Sequence, residues 1–397
     1  MEQRRLARVW SVAEQRPWLR WALCIPLVFA LGLSGCSQFH PKPKETYVYV
    51  TAKQAVLRDR VAAVSNRVGT ANNGEKLVVL EHTRKWLKVR TPRGEIGYIQ
   101  EKETATQEMA DEFIQLGERH KQDPVVGNAV VRDDVVLHLT PGRKTETLYR
   151  LSEGDALSLL ERATVEKLGV PGAVPAKPVV MKGTVPVPEG PPPPVMEDWW
   201  LVRDAKGETG WAYSHLIDVT EPDALARYAE GQRIVGAYVL AYADDPDSGM
   251  IDNGNPVTKI PEYVTVLSPY KAGLPYDFDQ VRVFTWNVKK HRYETAFREH
   301  NVAGYLPVEI GLKADPYGKG ATAGQPLPSF TYRVLAGDQA MPVPDAVSGA
   351  IKPGKTVAKT YRLEGNICRR ILQPGTQAPA EMHPAVEEKK PKAKKKK

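Results

Sequence analysis

Cysteine is nearly missing from this 397-residue chain, which holds only Cys24, Cys36 and Cys368. Three scattered cysteines cannot build a disulfide framework. Histidine is scarce too, at eight. There is no His-Glu-x-x-His or His-x-His, and His291 and His300 stand nine apart with no ligand partners nearby in sequence, which argues against a zinc site. No Gly-x-Ser-x-Gly elbow occurs, so the common serine-hydrolase motif is absent. The apolar run Trp21–Leu33 is broken by Pro26 and Gly32. In a helix it would rise about 20 Å against a hydrocarbon core of about 30 Å, too short for a permanent membrane span.

The charge is unevenly spread. The chain carries a formal +8, but residues 1–35 hold five Arg against Glu2 and Glu14, and the end from Glu387 holds seven Lys against two Glu. Between them 43 basic residues face 43 acidic ones. A neutral body gives no electrostatic footprint for nucleic acid, so no nucleic-acid partner is expected.

A basic stretch (Arg4, Arg5, Arg8, Arg16, Arg20), an apolar segment and small residues after it follow the plan of a secretory signal. Leu33-Ser34-Gly35-Cys36 then resembles the lipobox of bacterial lipoproteins. The resemblance implies cleavage before Cys36, which becomes the lipidated first residue and anchors the chain to a membrane. Small Ser34 and Gly35 suit a peptidase pocket, and a thiol is nucleophilic enough to take the lipid. The competing reading of Cys36 is a buried free cysteine. Ser37 is not the aspartate that retains lipoproteins in the inner membrane, so the resemblance implies the outer membrane, facing the periplasm.

The first half repeats itself. At an offset of 80, Leu57, Gly74, Leu77, Leu80 and Glu81 meet Leu137, Gly154, Leu157, Leu160 and Glu161. At an offset of 113, Trp86, Val89, Arg90, Gly94, Glu95 and Gly97 meet Trp199, Val202, Arg203, Gly207, Glu208 and Gly210, while Tyr98 meets Trp211. Each copy reads as short strands with glycine turns. The pattern resembles the bacterial SH3 domain, a small β-barrel of exported proteins often found in tandem beside cell-wall enzymes. The usual Asn-x-Arg-x-x-Pro start of that family reduces here to Leu57-Arg58-Asp59 and Leu137-His138-Leu139. In relatives that loop helps form the ligand groove.

Aromatic side chains are the candidate ligand contacts, because amphipathic rings suit glycans and peptides. Trp86 and Trp199 are assigned to the small cores. Trp200 follows Trp199 on the opposite strand face and is the preferred outward contact, with Trp211, Tyr213 and Tyr98 beside it.

The expected architecture is mainly β: two small SH3-like barrels in tandem, a short connector helix and a β-rich C-terminal domain, sandwich-like or partial propeller-like. Its boundaries are a signal at 1–35, a linker at 36–46, modules at 47–103 and 125–220, a connector at 104–124, a third domain at 224–372 and a disordered Lys-rich tail at 373–397. Residues 163–196 of the second module, with four prolines at 191–194, read as a flexible insertion. Met109, Phe113 and Leu116 stripe the connector. In the third domain a hairpin is expected at 281–287 and 292–298, with strands at 234–241, 263–267, 305–310, 329–335 and 357–363. Asp244, Asp245, Asp247 and Asp252 read as a solvated turn, lacking the sixth-position Gly and closing Glu of a calcium loop. Cys368 lacks the motif of cell-wall cysteine peptidases and reads as a small hydrophobe. The expectation is therefore a non-catalytic envelope lipoprotein with no metal and no cofactor, binding peptidoglycan or an envelope protein. Its alternatives are an adaptor in an envelope complex and, less favoured, a wall hydrolase with an unrecognised site.

Overall fold

The computed structural model describes residues 45–385, apart from 63, 169–193, 253, 319 and 321. Leu33, Ser34, Gly35, Cys36 and the terminal lysine run lie outside the described residues.

The first module is one seven-stranded antiparallel sheet. It comprises β1 (Thr46–Val50), β2 (Gln54–Arg58), β3 (Arg67–Asn72), β4 (Lys76–Thr83), β5 (Trp86–Arg90), β6 (Ile96–Gln100) and β7 (Thr104–Thr106), ordered β3-β2-β6-β5-β4-β1-β7. The second contains β8 (Gly127–Val131), β9 (Val135–His138), β10 (Thr147–Leu151), β11 (Ala156–Glu166), β12 (Met196–Asp204), β13 (Thr209–Tyr213) and β14 (Ile217–Val219). Its order, β10-β9-β13-β12-β11-β8-β14, is the same topology. Neither module is a closed barrel. Each sheet instead folds over on itself, so that Val50, Leu57, Leu77, Val89 and Ile99 from five strands share one core.

The repeat extends to atomic detail. Both modules skip one residue in the ladder at equivalent places: Leu80 between Val79 and Glu81, and Leu160 between Leu159 and Glu161. Gly97 and Gly210 are needed for the same reason. A Cβ on Gly97 would stand 2.9 Å from Leu57 Cβ and 3.1 Å from the Arg58 carbonyl; on Gly210 it would stand 2.8 Å from Leu137 Cβ and 3.2 Å from the His138 carbonyl. Strands β2 and β6, like β9 and β13, approach too closely for any side chain there.

Between the modules runs α1 (Gln107–Arg119), capped by Thr106 Oγ1, which accepts from Met109 N at 3.3 Å. It buries Ala110, Phe113 and Leu116. The helix begins later than the expected connector, because residues 104–106 pair with β1 as β7. The modules also touch directly. Asn73 Nδ2 donates to the Leu148 carbonyl at 3.0 Å, and Arg150 N donates to Asn73 Oδ1 at 2.8 Å.

The third region opens with α2 (Asp223–Ala226) and continues as β15 (Arg233–Asp244), the small hairpin β16 (Ile251–Asp252) and β17 (Asn255–Pro256), β18 (Lys259–Ser268), β19 (Phe278–Asn287), β20 (Arg292–Lys313), β21 (Leu327–Leu335), β22 (Thr356–Glu364) and β23 (Ile367–Arg370). It is neither a sandwich nor a propeller. Apart from the small hairpin, its seven strands follow chain order in one antiparallel meander. That sheet curls far enough for Val235 and Leu240 of β15 to share a core with Phe330, Tyr332 and Val334 of β21. The two strands expected at 292–298 and 305–310 are halves of the long β20, which shifts register between Tyr305 and Glu309.

Three further expectations are corrected. The insertion begins later and ends earlier than expected, because Ala163–Glu166 and Met196–Trp199 continue the β11–β12 ladder. Residues 169–193 lie outside the described residues. The tail does not start at 373 either. Gly337 N donates to Ala380 O at 2.8 Å, Met382 N to Leu335 O at 2.9 Å, and Lys359 Nζ reaches Glu381 at 2.8 Å, so residues 380–382 lie along the sheet. The aspartate turn is not fully solvated. Asp245 is 1% exposed and accepts from Trp286 Nε1 at 2.7 Å.

Buried Arg162 joins the second module to the C-terminal sheet. From β11 its Nε donates to Asp277 Oδ1 at 2.9 Å, and its Nη2 to the carbonyls of Leu274 and Tyr276 at 2.8 and 2.7 Å. Five donors in one planar group let a single side chain fix a loop and a carboxylate together. Arg162→Ala would leave Asp277 and both carbonyls without these donors, and should cost about 3–5 kcal/mol in chemical denaturation. A loss below about 1 kcal/mol would show that this residue does not hold the joint.

Candidate functional site: the open face of the first module

Alternation along β5 sets the site. Leu87 and Val89 point into the core, so Lys88 faces out and so does Trp86, against its expected place in the small core. Cross-strand pairing then lays a row over four strands: Glu81 on β4 opposite Lys88, Lys88 opposite Tyr98 on β6, and Tyr98 opposite Arg58 on β2. The Lys88 ammonium lies 5.8 Å from the Tyr98 ring centre, within cation–π reach. One pair further along, Trp86 sits between Thr83 and Gln100. Beyond it a depression of about 450 Å³ is lined by Lys85, Gln100, Glu101 and Lys102. Arg58 Nη1 donates to the Ser65 carbonyl at 3.2 Å, which ties the β2–β3 loop to this edge of the platform.

The result is a half-exposed aromatic pair among four cations, with Glu81 and Glu101 as the nearby acids. Such a surface can stack sugar rings or peptide planes and attract carboxylates.

Residues 57–104 match the bacterial SH3 domain. The match runs from the end of β2 to the first residue of β7 and includes every residue of the platform. No curated protein matches the sequence. Among solved structures, an NlpC/P60 family protein from Bacillus cereus is similar at 13% identity, covering 63% of this chain and 98% of its own, with a TM-score of 0.21. NlpC2 from Trichomonas vaginalis is similar at 6% identity, covering 64% of this chain and 92% of its own, with a TM-score of 0.15. NlpC1 from the same organism stands at 6%, 64% and 88%, also with a TM-score of 0.15. At such scores the likeness carries no argument about fold or activity.

The second module bears the same row, Glu161–Leu201–Trp211–His138, in the same register. Here the row is covered. Leu116 of α1, Leu160 and the partly buried Leu139 and Val165 pack with Trp199, Leu201 and Trp211. Leu160 is 5% exposed, whereas its counterpart Leu80 in the SH3 module is 44% exposed.

This overturns two expectations. Trp200 is 7% exposed and points into the module core beside Val202 and Leu159, so it is not an outward contact. Trp199 takes the outer face and is buried there by the covering side chains, at 1% exposure. Alternation separates the pair correctly, but which of the two faces inward is set by strand pairing. Trp211, at 5% exposure, is likewise closed to a large ligand. Tyr213 remains half-buried at the rim, with the Arg143 guanidinium 4.6 Å from its ring centre and His215 stacked at 5.0 Å. Arg143 is itself held by Glu197, at 2.8 Å from Nη2. Of the four expected contacts, Tyr98 alone lies on the open platform. Sequence reasoning missed Lys88 and Arg58 as its neighbours, although the β5 alternation placed Lys88 beside Trp86.

Among the described residues no group of three or more His, Cys, Asp and Glu is placed to hold a metal ion. His291, seemingly isolated in sequence, meets Asp245 Oδ2 at 2.8 Å. The Trp286 indole and His291 hold the Asp245 carboxyl below its usual range. Burial pushes the Cys368 thiol up to about 12, with the Glu262 charge adding to it. That suppresses the thiolate a nucleophile needs.

Equivalent positions should therefore behave differently. Trp211→Ala opens the packed outer face of the second module and should cost about 3–5 kcal/mol. Tyr98→Ala, on the open face, should cost about 1 kcal/mol or less. Equal losses in parallel thermal melts would contradict the contrast between the two faces.

Proposed function

We propose that this protein is a cell-wall-binding lipoprotein of the bacterial envelope, anchored through lipid on Cys36, with peptidoglycan as the ligand of its first module. The observation that carries this reading is the open basic and aromatic platform within the segment that matches the bacterial SH3 domain. Peptidoglycan offers what such a surface takes: sugar rings for Trp86 and Tyr98, and peptide carboxylates for Lys88, Arg58 and the lysines nearby. The second module, with the same strand order and the same ladder break, is a diverged copy of this domain. Its outer face serves the chain itself. It acts as the mount for α1 and the C-terminal sheet, and the work of the whole is binding without catalysis.

Co-sedimentation with purified sacculi tests the ligand. Protein beginning at Ser37 should bind at low and high salt, and a version ending at Val386 should bind as well, because recognition lies in the folded platform. Replacing Trp86 and Lys88 together by Ala should weaken binding by about tenfold. Unchanged binding by that variant, or binding that vanishes with the lysine tail, would overturn the assignment.

The anchor is tested separately. Cells expressing the wild-type chain should incorporate labelled palmitate into it, and Cys36→Ser should remove the label and leave an uncleaved precursor. Label retained in that variant would sink the lipoprotein reading.

A further inference from the structure

A second concave surface lies where the second module meets the C-terminal sheet, away from the platform. It is a cleft of about 710 Å³, within the range of small-ligand sites, which favour such junctions. One wall is β14, with Ile217 and Val219, and Thr220 just after it; the opposite side includes Ala229, Ile234 and Val235, and Trp200 contributes from the second module. Ile217, Ile234, Val235 and Trp200 are buried apolar side chains. They offer this cleft an apolar lining without closing it.

Its charges are not all spent. Arg162 and Asp277 border the cleft but are engaged with each other at 2.9 Å. Arg233 is different. Its Nη2 lies 3.5 Å from Asp198 Oδ2, a loose ion pair, and its buried Nε has no hydrogen-bond partner. Asp198 is 2% exposed, and its Oδ2 also lacks a hydrogen bond. Asp198 Oδ1 is already taken by Thr164 Oγ1 at 2.7 Å and Gly273 N at 3.0 Å. An unsatisfied buried donor is costly, and here it sits on a guanidinium that borders an open cleft.

At the more exposed part of the lining stand two acids. Asp218 pairs with Arg132 at 3.2 Å, both about half exposed, and Glu221 lies close enough to feel the Asp218 charge. A dianion such as phosphate would meet this pair unfavourably. A ligand carrying one carboxylate and one cation would not.

We propose that this cleft binds a short peptide with a free terminal carboxylate and a positively charged group, Arg233 taking the carboxylate and Glu221, beside the Arg132–Asp218 pair that also lines the cleft, facing the cation. Apolar side chains of the peptide would lie along Ile217 and Ile234. The site is independent of the wall-binding platform, and either can fail without the other.

The test is saturation-transfer NMR on the protein beginning at Ser37, with a pool of tetrapeptides built from lysine, alanine and leucine, in free-acid and C-terminally amidated forms. The free-acid pool should bind. Amidation, or Arg233→Gln, should weaken binding by about tenfold or more, the loss of a charge-assisted contact. Because Arg233→Gln also alters the Asp198 pair, Thr220→Trp serves as a second variant. It fills the cleft from an exposed position and should block binding while the melting curve stays that of wild type. The platform double variant, Trp86→Ala with Lys88→Ala, should bind peptide unchanged. No signal from the free-acid pool, equal binding of acid and amide, wild-type binding by Thr220→Trp, or displacement of peptide by millimolar inorganic phosphate would each overturn the proposal.

Discussion

At the joint between the second module and the C-terminal sheet sits a charge that is out of water. Arg162 gives up hydration to sit in the joint, and recovers it only because Asp277 and the Leu274 and Tyr276 carbonyls are all in place. Among the described residues no disulfide fastens the long connections, and the fold repeats this solution. Arg282 is buried against the Tyr228 carbonyl and the Glu230 carboxylate, and Arg362 donates to the carbonyls of Thr322, Ala323 and Gln325. Each guanidinium pins an irregular segment to a strand. A lysine, with one compact ammonium, would not span the same set of acceptors.

The two modules show what duplication permits. Strand order, ladder break and glycine contacts are shared, because each follows from backbone geometry that leaves no alternative. Their outer faces have parted. Lys88 in one is Leu201 in the other, and that exchange of a cation for an apolar side chain matches the difference between a face open to solvent and one packed under Leu116. The proposed division of labour, one copy for a ligand and one for the chain, rests on that difference.

Legibility differed from element to element. The repeat was visible because glycines and aromatics at turns and strand pairs keep their spacing. The hairpin around Val288–His291 was visible because two alternating runs flank it. The single meander was not, since alternation locates a strand but says nothing about which neighbour it joins. Nor was the reach of the sheet to residues 380–382, where the pairing is made by backbone groups and a long-range contact to Lys359.

The sequence by itself determined the mainly β character, the internal repeat, the scarcity of cysteine, and the alternation that separates Trp199 from Trp200. These depend on local periodicity and composition, which a linear reading contains. Tertiary structure decided which tryptophan faces the core, which outer face stays open, that Asp245 is buried against Trp286, and that a cleft forms beside Arg233. Those outcomes depend on what packs above a strand from more than a hundred residues away, as Asp277 does on Arg162, and no local pattern carries that information.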